Sequence, residues 1–87
     1  MRYRRNEQVT VTTVDDGSFL VEPETQDIFY LDALSAGVWS ALEQTMTLAD
    51  LQSLVAEAFP QTPRTTIEAD IAALLADMAQ RKLVVES

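Results

Sequence analysis

Apolar and polar positions follow two different rhythms in this chain. Gln8 to Val14 alternates Val9 and Val11 with Thr10 and Thr12, the period of two that predicts a half-buried strand rich in β-branched residues. Asp16-Gly17 supplies residues that tolerate positive φ and predicts a tight hairpin turn, with Ser18 to Glu22 as the return strand. Pro23 to Gln26 predicts a second turn, and Asp27 to Leu31 a third short strand. Phe29 and Leu31 fall on one face of that strand, Ile28 and Tyr30 on the other.

The second half changes to a helical rhythm. Asp32 is placed to cap a helix over Ala33 to Glu43, where Leu34, Val38 and Leu42 form an apolar stripe with Trp39 at its margin. A marginal tryptophan buries its ring, so Trp39 is expected to be structural. Thr47 and Asp50 form a capping box, with Met46 and Leu51 as a hydrophobic staple, for a helix ending near Phe59. That helix is expected to bury Leu48, Leu51, Leu54, Val55, Ala58 and Phe59. Pro60 and Pro63 break the chain. Thr65 and Glu68 predict a second capping box, opening a long helix to about Lys82 with Ile67, Ile71, Leu74 and Met78 in one stripe. Leu83 to Val85 predicts a closing strand. Three strands followed by three helices give an α+β fold, and the close second and third helices suggest a winged helix-turn-helix with a three-stranded antiparallel sheet as the wing.

Eighty-seven residues suit one domain spanning 1–87, with residues 1–7 expected to fray. No apolar run is long enough to span a membrane and no signal-peptide pattern is present, so the expected setting is the cytoplasm. Six basic against 14 acidic residues leave a net charge of -8, which repels phosphate backbones and anionic membranes. Neither nucleic acid nor membrane is expected as a partner.

The chemistry-bearing residues are sparse. With no Cys and no His, thiolate nucleophiles, imidazole bases and common zinc sites are all missing. Asp15, Asp16 and Gly17 do not match a calcium-binding loop, and two glycines make no phosphate loop. Ser35 has no base partner in the sequence, and Glu68, Asp70 and Asp77 read as solvated helix positions. Neither catalysis nor a cofactor is expected. What remains is binding by shape: an unpaired edge on the third predicted strand would be a template for an incoming peptide strand.

The stretch from Phe19 to Val85 resembles the PqqD-like family, RiPP recognition elements that bind the leaders of ribosomally made, modified peptides. The resemblance is carried by Leu31-Asp32-Ala33-Leu34-Ser35-Ala36-Gly37-Val38-Trp39 with Leu42, and by Asp70, Ile71, Leu74, Met78 and Lys82-Leu83-Val84. The chain departs from the family pattern in Asp32 for Asn, in the reversed small pair Ala36-Gly37, in Glu43-Gln44 for Asp-Gly, and in Lys82 for Gly. The resemblance implies that a leader peptide adds to the strand Asp27, Ile28, Phe29, Tyr30 and Leu31 and lies against the third helix. Asp70, Ala73 and Asp77 occupy one flank of that helix and Ala72, Leu75 and Ala79 the other, with Leu74 and Met78 on the stripe between. The groove-facing flank stays open at this level: Leu75 would offer an apolar contact, Asp70 and Asp77 an anchor for a basic leader residue.

The implied function is a chaperone that presents a precursor peptide to a separate modifying enzyme, such as a radical S-adenosylmethionine enzyme, a cyclase or a leader peptidase. As monomer or weak homodimer it would act by raising effective concentration. Two other readings fit the same helix order: a winged-helix DNA-binding regulator, and a module that dimerises through its edge strand.

Overall fold

The computed structural model describes residues 2–15 and 17–87, so Asp16 of the expected turn lies outside the described residues. The elements run β1 (Arg2–Arg5), β2 (Thr10–Val14), β3 (Gly17–Val21), β4 (Ile28–Leu31), α1 (Ala33–Ala41), β5 (Met46–Thr47), α2 (Leu48–Ala58), α3 (Arg64–Gln80) and β6 (Val84–Glu86). The fold is α+β, with two three-stranded antiparallel sheets ordered β2-β3-β4 and β5-β1-β6.

The second of those sheets was not foreseen. Residues expected to fray form β1, held between β5 (Tyr3↔Met46) and β6 (Arg4↔Val85). Tyr3 turns inward and is 9% exposed. Arg5 donates through Nε and Nη2 to the Trp39 carbonyl at 2.9 and 2.6 Å, and its guanidinium lies 4.8 Å from the centre of the Trp39 ring. Trp39 is thus a buried packing residue, and what it fastens to α1 is the N-terminal strand.

The β2-β3-β4 meander follows the sequence pattern more closely. Pairing closes at Val14 opposite Gly17, whose φ of +149° strongly favours glycine. β2 starts at Thr10 rather than Gln8 and is more exposed than its alternation suggested, with Val11 and Val14 about half exposed. Glu22 is buried at the next turn, and its Oε2 accepts hydrogen bonds from the Thr25 amide (2.7 Å) and hydroxyl (3.0 Å). This loop delivers the chain to β4.

Two helix starts match their sequence signals and one does not. Asp32 caps α1 by accepting from the Ser35 amide, while the Ser35 hydroxyl accepts from the Asp32 amide, both at 2.8 Å. Thr47 and Asp50 form the expected box at α2. α3 starts at Arg64 instead: Pro63, at φ -56°, is its cap residue, and the Pro63 carbonyl accepts from Thr66 and Ile67. Proline is pre-set for a helix start, so the helix begins ahead of Thr65, and Glu68 pairs with Arg64 rather than serving a box.

The core joins Leu20, Val38, Trp39, Leu42, Leu51 and Val55 to Ile67, Ile71, Leu75, Met78, Leu83 and Val84. The α3 stripe is rotated from expectation, because Leu75 is fully buried and Leu74 only half buried. Leu54 and Ala58 on α2, and Phe59 at its C-terminal cap, are exposed rather than buried. The end of α3 is a Schellman motif: Lys82 N–H donates to Ala79 and Leu83 N–H to Met78, with Lys82 at φ +62°. That is the place where the family pattern has glycine.

Candidate functional site

β4 pairs with β3 on one side and with no strand on the other among the described residues. The register pairs Val21 with Ile28, Leu20 with Phe29, Phe19 with Tyr30 and Ser18 with Leu31. Just before it, the Glu22 amide donates to the Asp27 carbonyl at 3.1 Å. Hydrogen-bonded pairs alternate along an antiparallel ladder, so the Asp27 carbonyl and the backbone groups of Phe29 and Leu31 point toward β3, while the Asp27 amide donates to the Thr25 hydroxyl at 3.3 Å. Ile28 and Tyr30 then direct N–H and C=O outward. The next outward donor, Asp32 N–H, is taken up by the Ser35 hydroxyl. The capping box therefore ends the available edge, and the positive φ of Gln26 (61°) turns the chain before it starts.

Side chains divide across this strand as its alternation predicts. Phe29 and Leu31 are half buried on the core side, while Ile28 and Tyr30 are 51% and 76% exposed. On the outer face the Tyr30 and Phe19 rings are tilted with centroids 5.7 Å apart.

The C-terminal end of α3 reaches β4 through Arg81. Arg81, following α3, sets its guanidinium 5.6 Å from the centre of the Phe29 ring and pairs with Asp77 at 3.0 Å. At the other end Asp70 shares a cavity of about 160 Å³ with Leu34, Phe59, Thr62 and Ile67. α3 thus runs against the direction of β4, from Asp70 near the start of α1 to Arg81 at Phe29. At 100° per residue, Ala73, Leu74 and Asp77 fall on this same flank. Ala73 is exposed and Leu74 half buried, but Leu75 and Met78 are fully buried in the core.

Arg81, Leu34, Phe59 and Thr62 were not among the site residues expected from sequence, where Leu34 and Phe59 read as core positions. The spacing of Asp77 and Arg81 at i and i+4 is a readable ion-pair signal; their joint placement over Phe29 is tertiary. A wider concavity of about 670 Å³, lined by Ala76, Ala79, Val84 and Val85 among others, lies on the opposite flank of α3. Among the described residues no group of three or more His, Cys, Asp or Glu is placed to hold a metal ion, and no helix is long and apolar enough to cross a membrane.

The model of the family "Coenzyme PQQ synthesis protein D (PqqD)" matches residues 17–84. The chain belongs to the PqqD family. No curated protein matches it in sequence. Among solved structures, TbiB1 in complex with the TbiA(beta) leader peptide superposes with a TM-score of 0.81 at 24% identity, covering 97% of this chain and 96% of that one. Lasso peptide synthetase B1, complexed with the leader peptide, gives 0.78 at 22% identity over 97% and 98% of the two chains. The solution structure of the PqqD truncation of Methylobacterium extorquens PqqCD, a stand-alone RiPP recognition element, gives 0.76 at 22% identity over 98% and 89%. These neighbours span nearly the whole chain.

Proposed function

We propose that this PqqD-family protein captures the leader of a ribosomally made precursor peptide by strand addition to β4 and presents it to a separate modifying enzyme in the cytoplasm, without catalysis of its own. The outward backbone groups of Ile28 and Tyr30 beside the α3 flank are the observation that carries this reading. Two structures with the same fold are leader-peptide complexes, which supports it.

Magnitudes define the division of labour. Ile28 and Tyr30 offer two donors and two acceptors, and at about 1 kcal/mol net per hydrogen bond the edge supplies about 4 kcal/mol. That corresponds to millimolar binding, whereas a micromolar complex needs about 8 kcal/mol. The remaining 4 kcal/mol equals burial of about 160 Å² of apolar surface, before the entropy of ordering the peptide is counted. Backbone pairing thus fixes register, and the groove between β4 and α3 supplies selectivity. The acidic flank of α3 disfavours the DNA-binding reading, because base edges and phosphates call for cations or amides there. The modifying enzyme would be a radical S-adenosylmethionine enzyme, a cyclase or a leader peptidase, with the tethered leader raising the effective concentration of the core peptide.

Amide chemical shifts recorded while titrating in the leader of a precursor encoded beside this chain test the proposal. Shifts are expected at Ile28–Leu31 and along Asp70–Arg81 together. Shifts confined to β2, or to β6 and the Ala76–Ala79 flank, would overturn strand addition at β4.

A further inference from the structure

We infer that the leader taken by this groove carries a lysine or arginine whose side chain enters the Asp70 cavity, a specificity that rests on the leader-binding reading above. The cavity has apolar walls from Leu34, Phe59 and Ile67, a hydroxyl from Thr62, and one carboxylate, Asp70. The carboxylates of α3 are not equivalent. Glu68 is paired with Arg64 at 3.2 Å and Asp77 with Arg81 at 3.0 Å, whereas the Asp70 side chain has no hydrogen-bond or ion-pair partner among the described residues. Of the two groove acids, Asp77 is already answered from within the chain and Asp70 is left for a ligand.

The combination fits a long basic side chain better than any other class. Lysine and arginine lay an apolar stem along apolar walls and carry the cation beyond it. An aliphatic residue would fill the walls but strip water from the carboxylate with nothing in return. An acidic residue would meet Asp70 and a protein of net charge -8.

The place of this residue in the leader also follows. Asp70 and Leu34 lie beyond the C-terminal end of β4, past the point where Asp32 and Ser35 close the edge. Antiparallel pairing is the more stable mode and the mode of every ladder in this fold. A leader strand antiparallel to β4 passes that end with its N-terminal side. The basic residue therefore sits N-terminal to the segment that pairs with Ile28 and Tyr30.

An mRNA-display library of random 15-residue peptides, selected on the full chain and in parallel on Asp70→Asn, tests this. Selection on the unaltered chain should enrich Lys or Arg at one position N-terminal to the paired segment, and selection on Asp70→Asn should lose that enrichment. For a selected peptide, Asp70→Asn and lysine-to-norleucine should each weaken Kd roughly five- to tenfold, and both together no more than either alone. Asp70 is exposed and unpaired, so the Tm of Asp70→Asn should be unchanged. Basic enrichment that persists on Asp70→Asn, additive losses, or a basic residue on the C-terminal side would overturn the inference. If no selected peptide shifts the Ile28 and Tyr30 amides, the leader-binding reading itself has failed and this inference falls with it.

Discussion

Proline scanning of β4 separates the backbone role of this strand from its packing role. Ile28 directs its N–H away from β3, so Ile28→Pro removes no ladder bond. Its side chain is 51% exposed, and losing half of the 1.5–3 kcal/mol of a fully buried isoleucine costs the fold about 1 kcal/mol. Phe29→Pro removes a bond to β3 and a half-buried ring beneath Arg81, and should cost about 3 kcal/mol or more. For peptide binding the order reverses. Ile28→Pro deletes one of four intermolecular bonds and puts ring carbons where a peptide carbonyl must approach, which should weaken binding at least tenfold. Ile28→Thr trims the same side chain and keeps the amide, so it should bind within about threefold of the original. Thermal melts and fluorescence anisotropy with a labelled leader peptide read both quantities. Unchanged affinity in Ile28→Pro would refute pairing at this edge, and a Tm as low as that of Phe29→Pro would refute the alternation that points Ile28 outward.

Lys82→Gly should stabilise the fold by about 1 kcal/mol, because the φ of +62° there strains a residue with a Cβ; a Tm rise of about 4–8 °C in calorimetry is the expected reading, and no rise would show the strain to be absent. Trp39→Ala should cost about 3–5 kcal/mol in denaturant melts, since it leaves a cavity under Arg5, while Trp39→Phe should be far milder and keep leader affinity within a few-fold. The Ser35 amide and hydroxyl hold the Asp32 carboxyl below its ordinary value, so its contribution is present above about pH 4 and is lost as pH falls through the lowered folded value; Asp32→Asn should flatten that part of a stability–pH profile. Burial, and secondarily the Glu86 carboxylate, raise the Tyr3 hydroxyl, so its contribution is present below about pH 10 and is lost as pH rises through the raised folded value; Tyr3→Phe should remove that alkaline loss.

Much of the site was readable one element at a time. The alternation in Ile28-Phe29-Tyr30-Leu31 assigns the faces of β4, Asp32 ends that strand as it caps α1, and two prolines separate α2 from α3. Each is a local preference, decided by sterics and hydrogen bonds within a few residues. The resemblance to the PqqD family added the strand-and-helix pairing that no single element states.

Tertiary structure decided everything that depends on what lies opposite. Arg2-Tyr3-Arg4-Arg5 has no strand signal strong enough to stand alone; it is a strand because β5 and β6 flank it and Trp39 receives Arg5. Leu74 and Leu75 are adjacent in sequence and about 100° apart around the helix, and only the rotation of α3 against the core buries Leu75 and leaves Leu74 half buried. The partner of Asp77 is legible as Arg81 at i+4, but the cavity with Leu34 and Phe59 beside Asp70 is not legible in any local spacing. A sequence fixes which side chains and backbone preferences are present, through interactions of short range. Which side chains line a common cavity is set by contacts between residues far apart in the chain, and those exist only once the two sheets and α3 have packed.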